Sequence, residues 1–216
     1  MYYFLPNSIK SAKDVSAKLQ KDFEQHVASP NSHHPPIYQP SAMVDYEPGS
    51  LSFVETTSKN HNQKLYQTWS QYLIYSLAHK DRSRNIIIAS TYRHSSEILE
   101  YAISHMAEFD MSLSGTKRLE KANLNKLKRV IDDATKLPLF FTDLDETQSR
   151  PIDQLTQAVN DTQPGLIVID HMTPLPSQSS PVSIEGQNLL REFASNHGLA
   201  MSFISMQENP VTLSRS

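Results

Sequence analysis

The 216 residues suffice for one principal domain with a small appendage, and with 38% hydrophobic residues the chain can build a full core. Twenty basic residues against 23 acidic ones give a formal charge of −3, so the whole-chain field does not mark a nucleic-acid binder. The absence of cysteine excludes disulfides, thiolate metal sites and thiol nucleophiles together. No apolar run approaches the roughly 20 residues of a membrane span, and the opening Met1 to Pro6 lacks a basic signal-peptide start. The expectation is a soluble cytoplasmic protein with no membrane partner. Only 5 glycines occur, a shortage that matters wherever a loop must bring its backbone close to phosphate.

In chain order, residues 8 to 28 place Ile9, Ala12, Val15, Leu19, Phe23 and Val27 three or four apart. This predicts an N-terminal amphipathic helix over residues 1–28, capped by Asn7 or Ser8 and packed in cis or on a partner. Residues 29–46, rich in proline, histidine and serine, read as a linker. Its His33-His34 pair is a poor metal site, because neighbours in an extended chain point apart and no third ligand is in view.

Glu47-Pro48-Gly49-Ser50 is a turn, and residues 47–216 then alternate strands and helices. Strands are predicted over 51–55, 86–89, 137–142, 166–169 and 199–205. Between them come a helix over 64–79 with the stripe Leu65, Trp69, Tyr72, Leu73 and Leu77, and one over 95–108 with Ile98, Leu99, Ala102, Ile103 and Met106. A third helix over 118–136 carries Leu124, Leu127, Val130, Ile131 and Ala134, and two more cover 152–159 and 184–196. The fold class is α/β, a mainly parallel five-stranded sheet with helices on both faces plus the N-terminal helix. Lys117, Arg118, Lys121, Lys126, Lys128 and Arg129 make the third helix the most basic part of the chain. They form either a solvated face or a surface for nucleic acid or an acidic partner.

The stretch Gly165-Leu166-Ile167-Val168-Ile169-Asp170 is apolar without interruption up to its carboxylate. Such a run is a strand buried on both faces, and it delivers Asp170 to the carboxyl edge of the sheet, where open α/β folds bind ligands. An aspartate there holds the Mg²⁺ of nucleotide hydrolases.

Several stretches taken in order resemble a known family: Glu47 to Val54, Ile86 to Ser90, Phe109 to Gly115, Leu137 to Asp143, Gly165 to Met172 and His197 to Ser205. From Glu47 onward the chain is similar to the RecA-like motor domain of DnaB-type replicative DNA helicases, a P-loop NTPase fold, over about three quarters of its length. The resemblance implies an opening strand, a Walker B strand ending at Asp170, and a last strand ending in the phosphate-sensing polar residue Ser205.

It also exposes departures. Where the family has a glycine-rich phosphate loop closing on Gly-Lys-Ser/Thr, this chain has Thr56 to Lys64 without a glycine, and the closing tripeptide falls on His61-Asn62-Gln63. Tyr92 stands at the place of the water-activating glutamate, and tyrosine is a poor base at neutral pH. The loop from Thr173 to Val182 has no basic residue for DNA phosphate. The chain ends at Ser216, soon after the fifth strand, so the resemblance implies a domain truncated at its C-terminus.

The reading is a degenerate ATPase without a working Walker A loop, a pseudo-ATPase that is not an enzyme. It works by binding in DNA replication or its regulation, with a replicative helicase, a helicase loader or a copy of itself as partner, and no cofactor is expected. The first alternative is an ATP-dependent helicase or ATPase with an unorthodox loop, in which Lys59, Lys64, Asp170 and Ser205 contact ATP and Asp170 holds Mg²⁺. The second is a DNA-binding accessory protein using the basic helix. If Asp170 is a relic, with no catalytic role, its partners are expected to be water or a helix N-terminus; Asp143, at another strand end, is a second carboxylate to consider.

Overall fold

The computed structural model describes residues 9–17, 44–57, 59–78, 85–107, 121–144, 151–173 and 184–207. Six strands are described: β1 Lys10–Ser11, β2 Leu51–Thr57, β3 Ile86–Ser90, β4 Leu139–Asp143, β5 Leu166–Thr173 and β6 Ala200–Gln207. The labelled helices are α1 His61–Ala78, α2 Ser95–Ala107, α3 Lys121–Ala134, α4 Pro151–Thr162 and α5 Ile184–His197. The α/β class and the mainly parallel pairing are as expected, but the strands number six rather than five. Among the described residues no helix is long and apolar enough to cross a membrane.

The chain divides into two compact units, Met1–Ser41 with Arg93–Asp143 and Ala42–Tyr92 with Leu144–Ser216. In the second and larger unit, β5 pairs in parallel with β3 on one side and β6 on the other, and β6 pairs in parallel with β2. The residues from Ile86 to Ser90, Leu166 to Asp170 and Ala200 to Ser205 are all buried. That is why β3 and β5 read as unbroken apolar runs: a strand covered on both faces has no polar side to alternate with. Helix α1 lies against β5, β6 and β2, burying Leu65, Trp69 and Tyr72, and α5 lies against β6 and β2.

Two glycines set the geometry around β2 and β6. Gly49 has φ +81° at the third position of the turn in which Ser50 N donates to Glu47 O, with Pro48 before it, as a type II turn requires. Gly198, at φ +62°, follows α5: its N–H donates to Ser195 O while Leu199 N donates to Ala194 O. This paired bonding closes the helix end and turns the chain into β6. At the corresponding exit of α4 the left-handed position falls to Gln163 (φ 48°), ahead of Pro164. Tyr46, assigned above to the linker, belongs with this unit: its hydroxyl donates to Thr68 O at 2.9 Å and its ring meets Tyr72 edge-on.

In the smaller unit β1 pairs antiparallel with β4, Lys10 opposite Phe141 and Ser11 opposite Phe140. The helix expected from residue 8 therefore begins later. Ser11 Oγ accepts from Asp14 N at 3.2 Å while Asp14 Oδ2 accepts from Ser11 N at 3.0 Å and from Ser11 Oγ at 2.6 Å. This reciprocal cap starts the helical residues 12–17 at Ser11 rather than at Asn7 or Ser8. The remainder of that expected helix, His33-His34 and the linker up to residue 43 lie outside the described residues. Helix α3 buries Leu127, Ile131 and Ala134 and packs on α2.

Candidate functional site

The β2–α1 connection decides whether phosphate can be held. Strand β2 continues two residues past its expected end, through Thr57, and α1 starts at His61 rather than Lys64. The stretch Thr56 to Lys64, set out above as the counterpart of a phosphate loop, is thus reduced to residues 58–60. Asn60 organises this turn. Its N–H donates to Thr57 O at 3.1 Å, its Oδ1 accepts from Thr57 N at 2.8 Å and Thr57 Oγ1 at 3.2 Å, and its carbonyl takes the first helical bond from Lys64 N at 2.9 Å. Two backbone N–H groups that a phosphate loop would turn toward an anion are spent inside the turn. A bent loop of eight residues has no room to form there.

His61-Asn62-Gln63 is consequently the first turn of α1, and its leading residue reaches back to the sheet. His61 is 2% exposed and Asp170 0%. His61 Nε2 lies 2.5 Å from Asp170 Oδ1, and Ser90 Oγ donates to Asp170 Oδ2 at 3.1 Å. On the other side of the ring, Nδ1 lies 2.6 Å from Thr56 Oγ1, and Thr56 Oγ1 donates to the backbone carbonyl of Ser205 at 3.0 Å.

Both nitrogens of the His61 ring are thus engaged, one with the Thr56 hydroxyl and the other with Asp170, and the buried Asp170 carboxyl has a hydrogen-bonding partner at each oxygen, as a buried polar group requires.

The sequence order of register explains why these groups meet. In parallel pairing, Ser90 lies beside Asp170, and Thr56 lies beside Met206 on the far side of β6. Thr56, Ser90 and Asp170 are thus brought to the carboxyl edge by three strands, and α1 lowers His61 between them. Neighbouring polar residues extend the edge: Thr91 N donates to Asp170 O at 3.1 Å, and Thr91 Oγ1 lies 3.1 Å from His171 Nδ1, whose ring rests on Phe203. Tyr92, at the place of the family's glutamate, turns its ring to His61 with centroids 6.3 Å apart.

A hydroxyl, an imidazole and a carboxylate in line form a nucleophile-activating array in hydrolases. Here the hydroxyl is also in contact with the Ser205 carbonyl and is only 5% exposed, so it is closed off from a substrate in solvent.

The candidate nucleotide contacts are distributed as follows. Asp170 has both oxygens engaged by side chains, His61 from the first residue of α1 at one and Ser90 from β3 at the other. Ser205 enters the network through its backbone carbonyl, with its side chain buried. Lys59 is exposed on the turn, and Lys64 is half-buried in the first turn of α1, where burial lowers its ammonium pKa. Among the described residues no group of three or more His, Cys, Asp and Glu side chains is placed to hold a metal ion. Asp143, the second strand-end carboxylate, forms an ion pair with Lys10 at 3.3 Å.

Of the basic surface, Lys126, Lys128 and Arg129 are exposed on α3, followed by exposed Asp132 and Asp133, and Asp133 pairs with Lys136 at 2.8 Å. Lys117, Arg118 and the side chain of Lys121 lie outside the described residues, as does the loop from 174 to 182. His61 is the functional residue that sequence reasoning missed. Its signal was present: a buried apolar run carrying Asp170 demands a hydrogen-bonding partner, and the residue that heads the helix after β2 is a histidine.

Comparison of the chain with models of protein families and with curated proteins finds no match.

Proposed function

We propose that this chain is a non-catalytic, DnaB-like protein of the RecA-like P-loop NTPase class, which acts by binding in DNA replication or its regulation. Its partner is a replicative helicase, a helicase loader or a second copy of itself. One observation carries the non-catalytic part: His61 closes Asp170 from inside the protein while the adjoining connection is reduced to residues 58–60. A nucleotide site needs that carboxylate free for a metal and that connection long enough to wrap phosphate. The same two features weigh against the ATP-dependent helicase reading, in which Lys59, Lys64, Asp170 and Ser205 would surround ATP and Mg²⁺.

The replication role rests on the resemblance of the ordered motifs from Glu47 to Ser205, and it is tested by association. The tagged full chain, mixed with a replicative helicase from the same source, is expected to co-purify with it equally well with and without nucleotide. Absence of a complex in both conditions, together with a monomeric mass for the chain alone, contradicts the proposal.

A second reading is favoured by the exposure of Lys126, Lys128 and Arg129 on one helix. It makes the protein a DNA-binding accessory factor. Its mark would be DNA binding that falls steeply with salt and weakens when these three are changed to glutamine; salt-insensitive or absent binding removes it.

A further inference from the structure

The groups around His61 form a site with walls of their own, independent of the ring that fills it. Asp170, on β5, is oriented by Ser90, on the neighbouring strand β3. Thr56, on β2, is held in place by its hydroxyl contact with Ser205 O on the adjacent strand β6. None of these walls belongs to α1. Only the ring comes from the helix, and it enters at the helix's first residue, directly after the turn at 58–60.

We infer that Thr56, Ser90 and Asp170 make a preformed binding site for a nitrogen heterocycle of imidazole size, and that His61 occupies it as a tethered ligand. Recognition is by two oxygens at opposite ends of a planar five-membered ring: a hydroxyl oxygen 2.6 Å from one nitrogen and a carboxyl oxygen 2.5 Å from the other. This arrangement selects a ring with a hydrogen-bonding nitrogen at each end. An apolar ring of equal size fills the volume but leaves the Asp170 carboxylate buried without its partner, which is strongly unfavourable. The site stands whatever partner the protein binds, so it goes beyond the binding role proposed above.

The test removes the tether and supplies the ligand. In the full chain, His61→Gly is expected to unfold at a lower temperature than the parent. Added imidazole or 4-methylimidazole should raise that midpoint in a saturable way, with half-saturation on the order of millimolar, as suits so small a ligand. The parent protein should show no such rise, and neither should the double variant His61→Gly/Asp170→Asn. Toluene, a flat ring without N–H groups, should be ineffective. Equal rescue by toluene, or equal rescue of the double variant, overturns the inference. So does the absence of any imidazole effect on a folded His61→Gly. If His61→Gly does not fold by itself, imidazole present during refolding is expected to restore a cooperative thermal transition, and failure to do so overturns the inference equally.

Discussion

Two aspartates stand at or near the carboxyl ends of described strands, Asp170 in β5 and Asp143 at the end of β4, and they differ in burial and in partner. Asp170, at the carboxyl end of the buried run of β5, is wholly inaccessible and is held by His61 and Ser90. Asp143, closing β4, has a side chain 41% exposed and meets a Lys10 side chain that is 46% exposed. Both are carboxyl groups facing a nitrogen-bearing side chain, yet only the first is removed from water. The difference teaches that a strand-end carboxylate acquires its meaning from burial and from its partner, neither of which is visible in the strand itself. In water an ion pair contributes little, because solvent already stabilises each charge. In the interior the pair is obligatory, since either charge alone is a large penalty.

The comparison makes its largest prediction at the buried pair. His61→Ala leaves the buried Asp170 carboxyl without its ring partner and is expected to cost about 3–5 kcal/mol in urea denaturation. Asp170→Ala should cost a similar amount. Replacing both by leucine should recover most of the loss, because apolar pairs substitute well for buried ion pairs. If the single and double variants all lie within about 0.5 kcal/mol of the parent, the size of a change at an ordinary surface position, the pair is not buried as described.

An intermediate effect is expected at the cap between Ser11 and Asp14. Ser11→Ala should cost about 1 kcal/mol. The two bonds from Ser11 hold the Asp14 carboxyl below its usual pKa. A group whose pKa is lower in the folded state stabilises the fold above its unfolded pKa, and that contribution is lost as pH falls through the folded one. The difference in thermal midpoint between the parent and Asp14→Ala should therefore be full at pH 6 and shrink below about pH 4, near the ordinary carboxylate value. A gap that widens on acidification would contradict the cap.

The smallest effect belongs to the exposed pair. Lys10→Ala should change stability by less than about 1 kcal/mol, and the change should vanish in high salt. A loss at Lys10 as large as that at His61 would erase the distinction between the two aspartates.

Much of the fold was legible because burial on both faces leaves a simple signature. The unbroken runs of β3 and β5, the helical stripe of Leu127, Ile131 and Ala134, and the turn at Pro48-Gly49 each state their structure locally. Strand β1 was not legible: two residues carry no periodicity, and their pairing with β4 spans more than a hundred positions. The boundary between β2 and α1 was also misjudged. Periodicity ends the strand at 55 and begins the helix at 64, and the motor-domain resemblance matches the long loop between them to a phosphate loop. In the structure Thr56 is drawn into the sheet by His61 and the Ser205 carbonyl, while Asn60 ends the turn early. Those partnerships are tertiary, and no local pattern announces them. Asp170 itself was picked out by the strand that carries it, but its histidine partner lies 109 residues away along the chain.

The central proposal is that the carboxyl edge of the sheet, where His61 meets Asp170, takes no nucleotide. It is tested most directly by calorimetric titration of the full chain with Mg-ATP. The account predicts no saturable heat up to millimolar nucleotide, and no change when Lys59 or Lys64 is replaced by alanine. Saturable, stoichiometric binding of Mg-ATP that disappears in Asp170→Ala or Lys64→Ala, while those variants remain folded, would contradict it.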